Sequence, residues 1–355
     1  MFGGVSLRED PPMSSAYSFR SALTALALIG AATLAGCADP KPEPVAPPPP
    51  PVALAPSLIE QASAYRFYMS RSSAISPVFD DGTEIATSLK TGVAYEPIQF
   101  LKGAVAYGAV AALQNEEFVA AVRSYSVNPE TRNKMFADLV ADPNYAASLP
   151  GAKGAAGLVI AAYGAEGKRL FETGSAVKQA AYDVQKSKWS KADVENRALR
   201  LSQAKALSAT PIVGELEETA RLQQAALGAG VMELSAEPAE PPYSRMVARS
   251  LAVAALAVLG EAGENRADLL TAVMVEPTSA SCLNMAKLNL YQCLAVSKPH
   301  YEDVFCLGQH ALMDTGQCLM KGAGLADPTK AAAVVQVAET GASSETAAVA
   351  GAKKH

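Results

Sequence analysis

Between residues 57 and 321 the chain repeats one signal: a side chain able to cap a helix, then acids or a proline, then an Ala-rich apolar stretch. Ser57-Leu58-Ile59-Glu60 has the Ser-x-x-Glu form of a capping box. Asn115-Glu116-Glu117 sets a cap and two acids where a helix dipole favours them. Asn128-Pro129-Glu130 and Asp142-Pro143 each place a cap before a proline suited to the first helical position. Ser190, with Asp193 three residues on, reads as a further start, and Gly92, Gly228 and Gly263 read as stops. Ala-rich segments at 100–113, 155–186, 192–209 and 246–259 lie between these signals, and no stretch alternates apolar and polar residues over a useful strand length. The pattern predicts an all-α fold: an Ala/Gly-rich bundle of about ten to twelve helices, whose small residues allow close contacts.

Composition agrees with a packed core. Half of the 355 residues are hydrophobic, 18% are charged and 6% aromatic, which argues against both a charge-rich disordered chain and a base-stacking surface. A net charge of −5 offers no electrostatic reason to bind nucleic acid. Three apolar runs, 103–113, 154–165 and 251–260, fall short of the roughly 18 residues a membrane span needs and read as core helices. Ala106-Tyr107-Gly108-Ala109 returns as Ala162-Tyr163-Gly164-Ala165, too little for an internal repeat. Composition shifts at Glu237-Pro238-Ala239-Glu240-Pro241-Pro242. This segment separates a larger helical part, 57–236, from a smaller Cys-containing part, 243–321, although a surface loop within one domain accounts for it equally well.

Four cysteines, Cys282, Cys293, Cys306 and Cys318, fall in that smaller part. Segments 278–296 and 301–320 read as helices around Lys298-Pro299. Eleven residues of one helix rise about 16 Å, whereas disulfide Cα atoms sit within about 7 Å, so no bridge forms inside either helix. In an antiparallel hairpin the residues near the turn meet, as do the outer ends. Cys293–Cys306 nested inside Cys282–Cys318 therefore fits better than Cys282–Cys306 with Cys293–Cys318. One mismatch remains: eleven residues return to nearly the same helix face, while twelve rotate about 120° away, so a bend, a change of winding or a frayed end must serve the outer bridge. The arrangement resembles that of coiled-coil-helix proteins with paired cysteines, with spacings that depart from that family's.

The N-terminus is an address. Arg20 precedes an apolar run at 22–35, small residues end it, and Leu34-Ala35-Gly36-Cys37 follows. This resembles the lipobox of bacterial lipoprotein precursors. The resemblance implies a signal peptide at 1–36, with Met13 as the better start, cleavage before Cys37, and acylation of Cys37. Membrane lipid is then a partner through that cysteine. Stable anchoring takes two or more acyl chains, which a fully acylated Cys37 supplies. Asp directly after the cysteine favours inner-membrane retention in enteric members of the family; here that position is Ala38, so the periplasmic face of the outer membrane is expected. An oxidising compartment also suits the four remaining cysteines. Residues 37–56 form a tether with nine prolines in 40–56, expected as a polyproline spacer reaching roughly 50 Å. Residues 322–355, with eleven alanines and no aromatic, are expected to be a disordered tail.

No residue set reads as a catalytic site, and no metal or cofactor is implied. Cys306, His310 and Asp314 share one helix stripe, but a disulfide at Cys306 and an exposed or packed His310 account for them. Lys186-Ser187-Lys188-Trp189-Ser190-Lys191 is a small basic patch that a helix end explains as well as an acidic polymer would. The expected function is a non-enzymatic helical binding or scaffold module of the cell envelope, with an envelope protein or cell-wall partner; the alternative is a periplasmic enzyme acting on envelope material.

Overall fold

The computed structural model describes residues 51–328, and among these there is no β-strand, only isolated bridges at Leu54–Ala262 and Asp193–Pro299. Thirteen α-helices follow in order among the described residues: α1 (Pro56–Ser73), α2 (Gly82–Val93), α3 (Pro97–Ala112), α4 (Glu116–Ser126), α5 (Pro129–Ala141), α6 (Ala152–Val184), α7 (Arg197–Ala209), α8 (Leu216–Ala226), α9 (Arg245–Val258), α10 (Ala267–Met274), α11 (Pro277–Val296), α12 (His300–Cys306) and α13 (Asp314–Gly322). A π-helical segment, Leu307–Met313, joins α12 to α13 in one rod. The fold is the expected Ala/Gly-rich multi-helix bundle with a C-terminal hairpin stapled by disulfides.

Side-chain caps place six of the α-helix starts among the described residues. Asp81, Asn115, Asn128 and Ser244 accept backbone N–H groups at the heads of α2, α4, α5 and α9, and Glu96 and Glu276 do so for α3 and α11. Four local expectations change. The Ser57 capping box does not form, because Pro56 takes the first helical position and puts Ser57 inside α1; its hydroxyl instead donates to Glu264 at 2.9 Å. Ser190 starts no helix: its hydroxyl donates to the Ser187 carbonyl at 3.0 Å, and α7 begins only at Arg197. Asp142-Pro143 opens a short 3₁₀ turn, Pro143–Ser148. The stop after α9 is Gly260, whose φ of 75° suits glycine, and Gly263 leads into the next turn.

The core runs across the segment 237–242. Residues from α1, α3, α6, α9, α11 and α13 share one hydrophobic cluster. The three apolar runs are core: every residue of α9 except its first and Arg249 is buried, and the end of α3 is equally enclosed. The 106–109 and 162–165 echo meets itself, since the Tyr163 hydroxyl donates to the Ala104 carbonyl at 2.9 Å and fills the space a side chain at Gly108 would need.

Helix α6 runs 33 residues and packs antiparallel against the α12–α13 rod through glycines. A Cβ at Gly167 would come within 3.0 Å of the Gly316 carbonyl, and one at Gly174 within 2.8 Å of the Gly308 carbonyl. The two contact points are seven residues apart on α6 and eight apart on the rod. Two α turns take 7.2 residues, so the rod carries one residue more than α winding needs, and the π segment absorbs it. The same extra residue answers the cysteine mismatch. Twelve residues from Cys306 to Cys318, one of them taken up by the π segment, turn as eleven do. Both cysteines then face α11: Cα separations are 5.7 Å for Cys293–Cys306 and 5.7 Å for Cys282–Cys318, within bridging range.

The tether and tail boundaries also move. Ala53 and Ala55 donate backbone bonds to Ala257 and Ala262 at 3.0 and 2.7 Å, and Leu54 and Ala55 are buried, so the last residues of the expected tether belong to the folded body. At the other end Ala323 is buried, and Asp327 accepts from Gln317 at 2.7 Å. Residues 1–50, including the expected signal peptide and Cys37, and residues 329–355 lie outside the described residues.

Candidate binding cleft

Helices α2 and α7 lie side by side and parallel. Their C-terminal ends are tied where the Ser208 hydroxyl donates to the Val93 carbonyl at 3.1 Å. Their N-terminal ends share a cavity with the start of α12, where the His300 backbone N–H bonds the Ala192 carbonyl at 3.2 Å and the His300 ring fills the space beside Gly82. Between them is a cleft of about 590 Å³, a size that suits a bound molecule or several inserted side chains. Ile85, Leu89, Val93 and Ala204 make a buried apolar floor; Ala86 on one lip and Leu199 on the other are exposed.

The floor is held by a buried ion pair. Arg200 donates to the Asp303 carboxylate at 2.5 Å and reaches the Leu294 and Ser297 carbonyls at the end of α11, while the Ser297 hydroxyl also donates to Asp303 at 2.9 Å. Burial pushes the Asp303 carboxyl above its ordinary value, and Arg200 beside it opposes that rise. The pair ties α7 to both arms of the stapled hairpin, so the wall of the cleft is fixed at several points. Arg200 Nε is buried without a hydrogen-bond partner among the described residues.

Behind the floor lies Lys287, the only charged residue of α11 and 5% exposed. Its amine donates to the Val93 carbonyl at 2.7 Å and sits 3.3 Å from the Tyr95 ring centroid. Burial pushes this amine well below the ordinary lysine value. The carbonyl end of α2, the ring face and the nearby Glu96 carboxylate oppose that fall. A second, half-buried polar cluster ties α1, α6 and α8: Arg66 pairs with Glu166 and, at 3.2 Å, with Glu218.

Once Arg200 and Asp303 are paired, three lining ions have no ionic partner among the described residues: Lys90 near the carboxyl ends of α2 and α7, and Asp193 and Glu195 near their amino ends. The cleft is thus apolar along its floor and of opposite charge at its two ends.

The residues singled out in the sequence lie elsewhere. The four cysteines are brought together pairwise in the hairpin. His310 pairs with Asp314 at 2.8 Å on the π segment, beside Phe305 and away from the cleft. Lys186, Lys188 and Lys191 are exposed, while Trp189 is half-buried near His300. The cleft itself was missed, although Lys287 carried a readable signal. It falls at the same spacing as Leu283, Leu290 and Leu294, on the apolar face of a helix with no other charge. Among the described residues no group of three or more His, Cys, Asp or Glu side chains is placed to hold a metal ion, and no helix is long and apolar enough to cross a membrane. Comparison with protein families, curated proteins and solved structures finds no match to this chain.

Proposed function

We propose that this chain is a lipid-anchored binding module of a bacterial cell envelope, tethered through acylated Cys37 at the periplasmic face of the outer membrane, which holds an envelope protein or cell-wall partner. The observation that carries the binding role is the α2/α7 cleft, an open trough with an apolar floor whose walls are fixed by the Arg200–Asp303 pair and by the stapled hairpin. The lipobox-like Leu34-Ala35-Gly36-Cys37 supports the anchor, and the two bridges suit an oxidising compartment. The anchor is tested by Cys37→Ser. Loss of fatty-acid labelling, accumulation of the unprocessed precursor and escape from the detergent phase are expected; normal processing with unchanged partitioning would overturn it.

A further inference from the structure

We infer that the α2/α7 cleft receives an amphipathic helix of a protein partner, laid antiparallel to α2 and α7, with an acidic first turn and a basic last turn. The inference rests on the binding role proposed above and adds the occupant. A partner chain is favoured over a compact small molecule because the trough is open along its length: Ala86 and Lys90 on α2 and Leu199 and Gln203 on α7 are exposed at its lips. The apolar lining runs from Leu199 to Leu207 on α7 and from Ile85 to Val93 on α2, about 12 Å along each, which matches a little over two turns of an added helix.

Charge sets the direction. Lys90 stands free near the carboxyl ends of α2 and α7, and Asp193 and Glu195 stand free near their amino ends. Ordinary helices carry acids in the first turn and cations in the last. A helix running antiparallel to α2 and α7 puts its acidic first turn against Lys90 and its basic last turn against Asp193 and Glu195. Its carbonyl pole then also meets the amino poles of α2 and α7. A parallel helix reverses all of these contacts. Small Ala86 and Ala204 allow close approach, while the exposed Leu199 gains cover.

The test uses the full chain and a fluorescent synthetic peptide of about 14 residues, with leucines at i, i+3, i+4 and i+7, glutamates in the first turn and lysines in the last. Its control exchanges the glutamates and lysines. Anisotropy is expected to show saturable binding of the acid-first peptide, about tenfold tighter than the control at low salt. Ala86→Arg, at an exposed position, is expected to abolish it, and Lys90→Glu with Glu195→Lys to favour the control peptide instead. Equal affinity for the two peptides, no saturable binding of either, or indifference to Ala86→Arg would overturn the inference. Anchoring is read separately by labelling of Cys37, so failure there leaves the peptide result standing, and the reverse also holds.

Discussion

At Lys287 a charged side chain occupies a core position, and burial competes with its neighbours over its proton. Desolvation favours the neutral amine; the Glu96 carboxylate, the Val93 carbonyl and the Tyr95 ring favour the cation. The Val93 carbonyl does not depend on this lysine, because Ser208 and the Tyr95 backbone N–H, at 2.8 Å, also donate to it. Lys287→Met therefore fills the same volume without orphaning an acceptor, and it is expected to stabilise the fold by about 1–2 kcal/mol at neutral pH. The sign of the pH dependence follows from the depressed folded value. Between that value and the ordinary lysine value near 10.4, the unfolded chain binds more protons, so wild-type stability rises with pH. The advantage of Lys287→Met should shrink across that interval and vanish above it. Urea unfolding at a series of pH values measures this; an advantage that stays constant with pH would show that the amine keeps its proton in the fold.

At the scale of elements, the rod His300 to Gly322 shows how one residue can be stored in a helix. The π segment keeps two registers at once, the cysteines against α11 and Gly308 and Gly316 against α6. Deleting His310 from that segment should convert the rod to plain α winding, with Cys306 and Cys318 eleven residues apart on one face. Both bridges are then expected in non-reducing peptide maps. Deleting Asn289 from α11, which has no such reserve, rotates Cys282 by about 100° relative to Cys293 and should cost one bridge. Retention of both bridges in the second variant would refute this account. The twelve-residue spacing announced that winding had to change, but not where, because α12, the π segment and α13 all have helix-compatible residues. The site of the change is set by where α6 brings Gly174 against Gly308.

For the whole molecule, the arm at 53–55 carries the folded body ahead of α1. Leu54 and Ala55 are buried against α9 and the turn after it, although proline content assigns them to a spacer. A chain beginning at Pro51 keeps the docked arm. A chain beginning at Ser57 loses the bonds to Ala257 and Ala262, the two that Leu58 and Ile59 donate to the Ala55 carbonyl, and the burial of Leu54, and should be less stable by about 3–5 kcal/mol. Calorimetry of the two truncations reads the difference, and equal melting would show that the arm is not part of the fold.

The sequence by itself determined the helical class, the helix starts at Asn115 and Asn128 and the nested pairing of the cysteines. Caps act within three residues, and a helix's rise and rotation follow from residue count alone. Only the tertiary structure decided that the Ser57 hydroxyl turns to Glu264, that the arm docks, and that α2 and α7 run parallel with a cleft between them. Each of those outcomes depends on groups far apart in the chain, Ser57 with Glu264, Ala55 with Ala262 and Ser208 with Val93. Helix α7 shows the same limit: Asp303, which pairs with Arg200, lies 103 residues further along the chain, and no local pattern encodes which acid an arginine will meet.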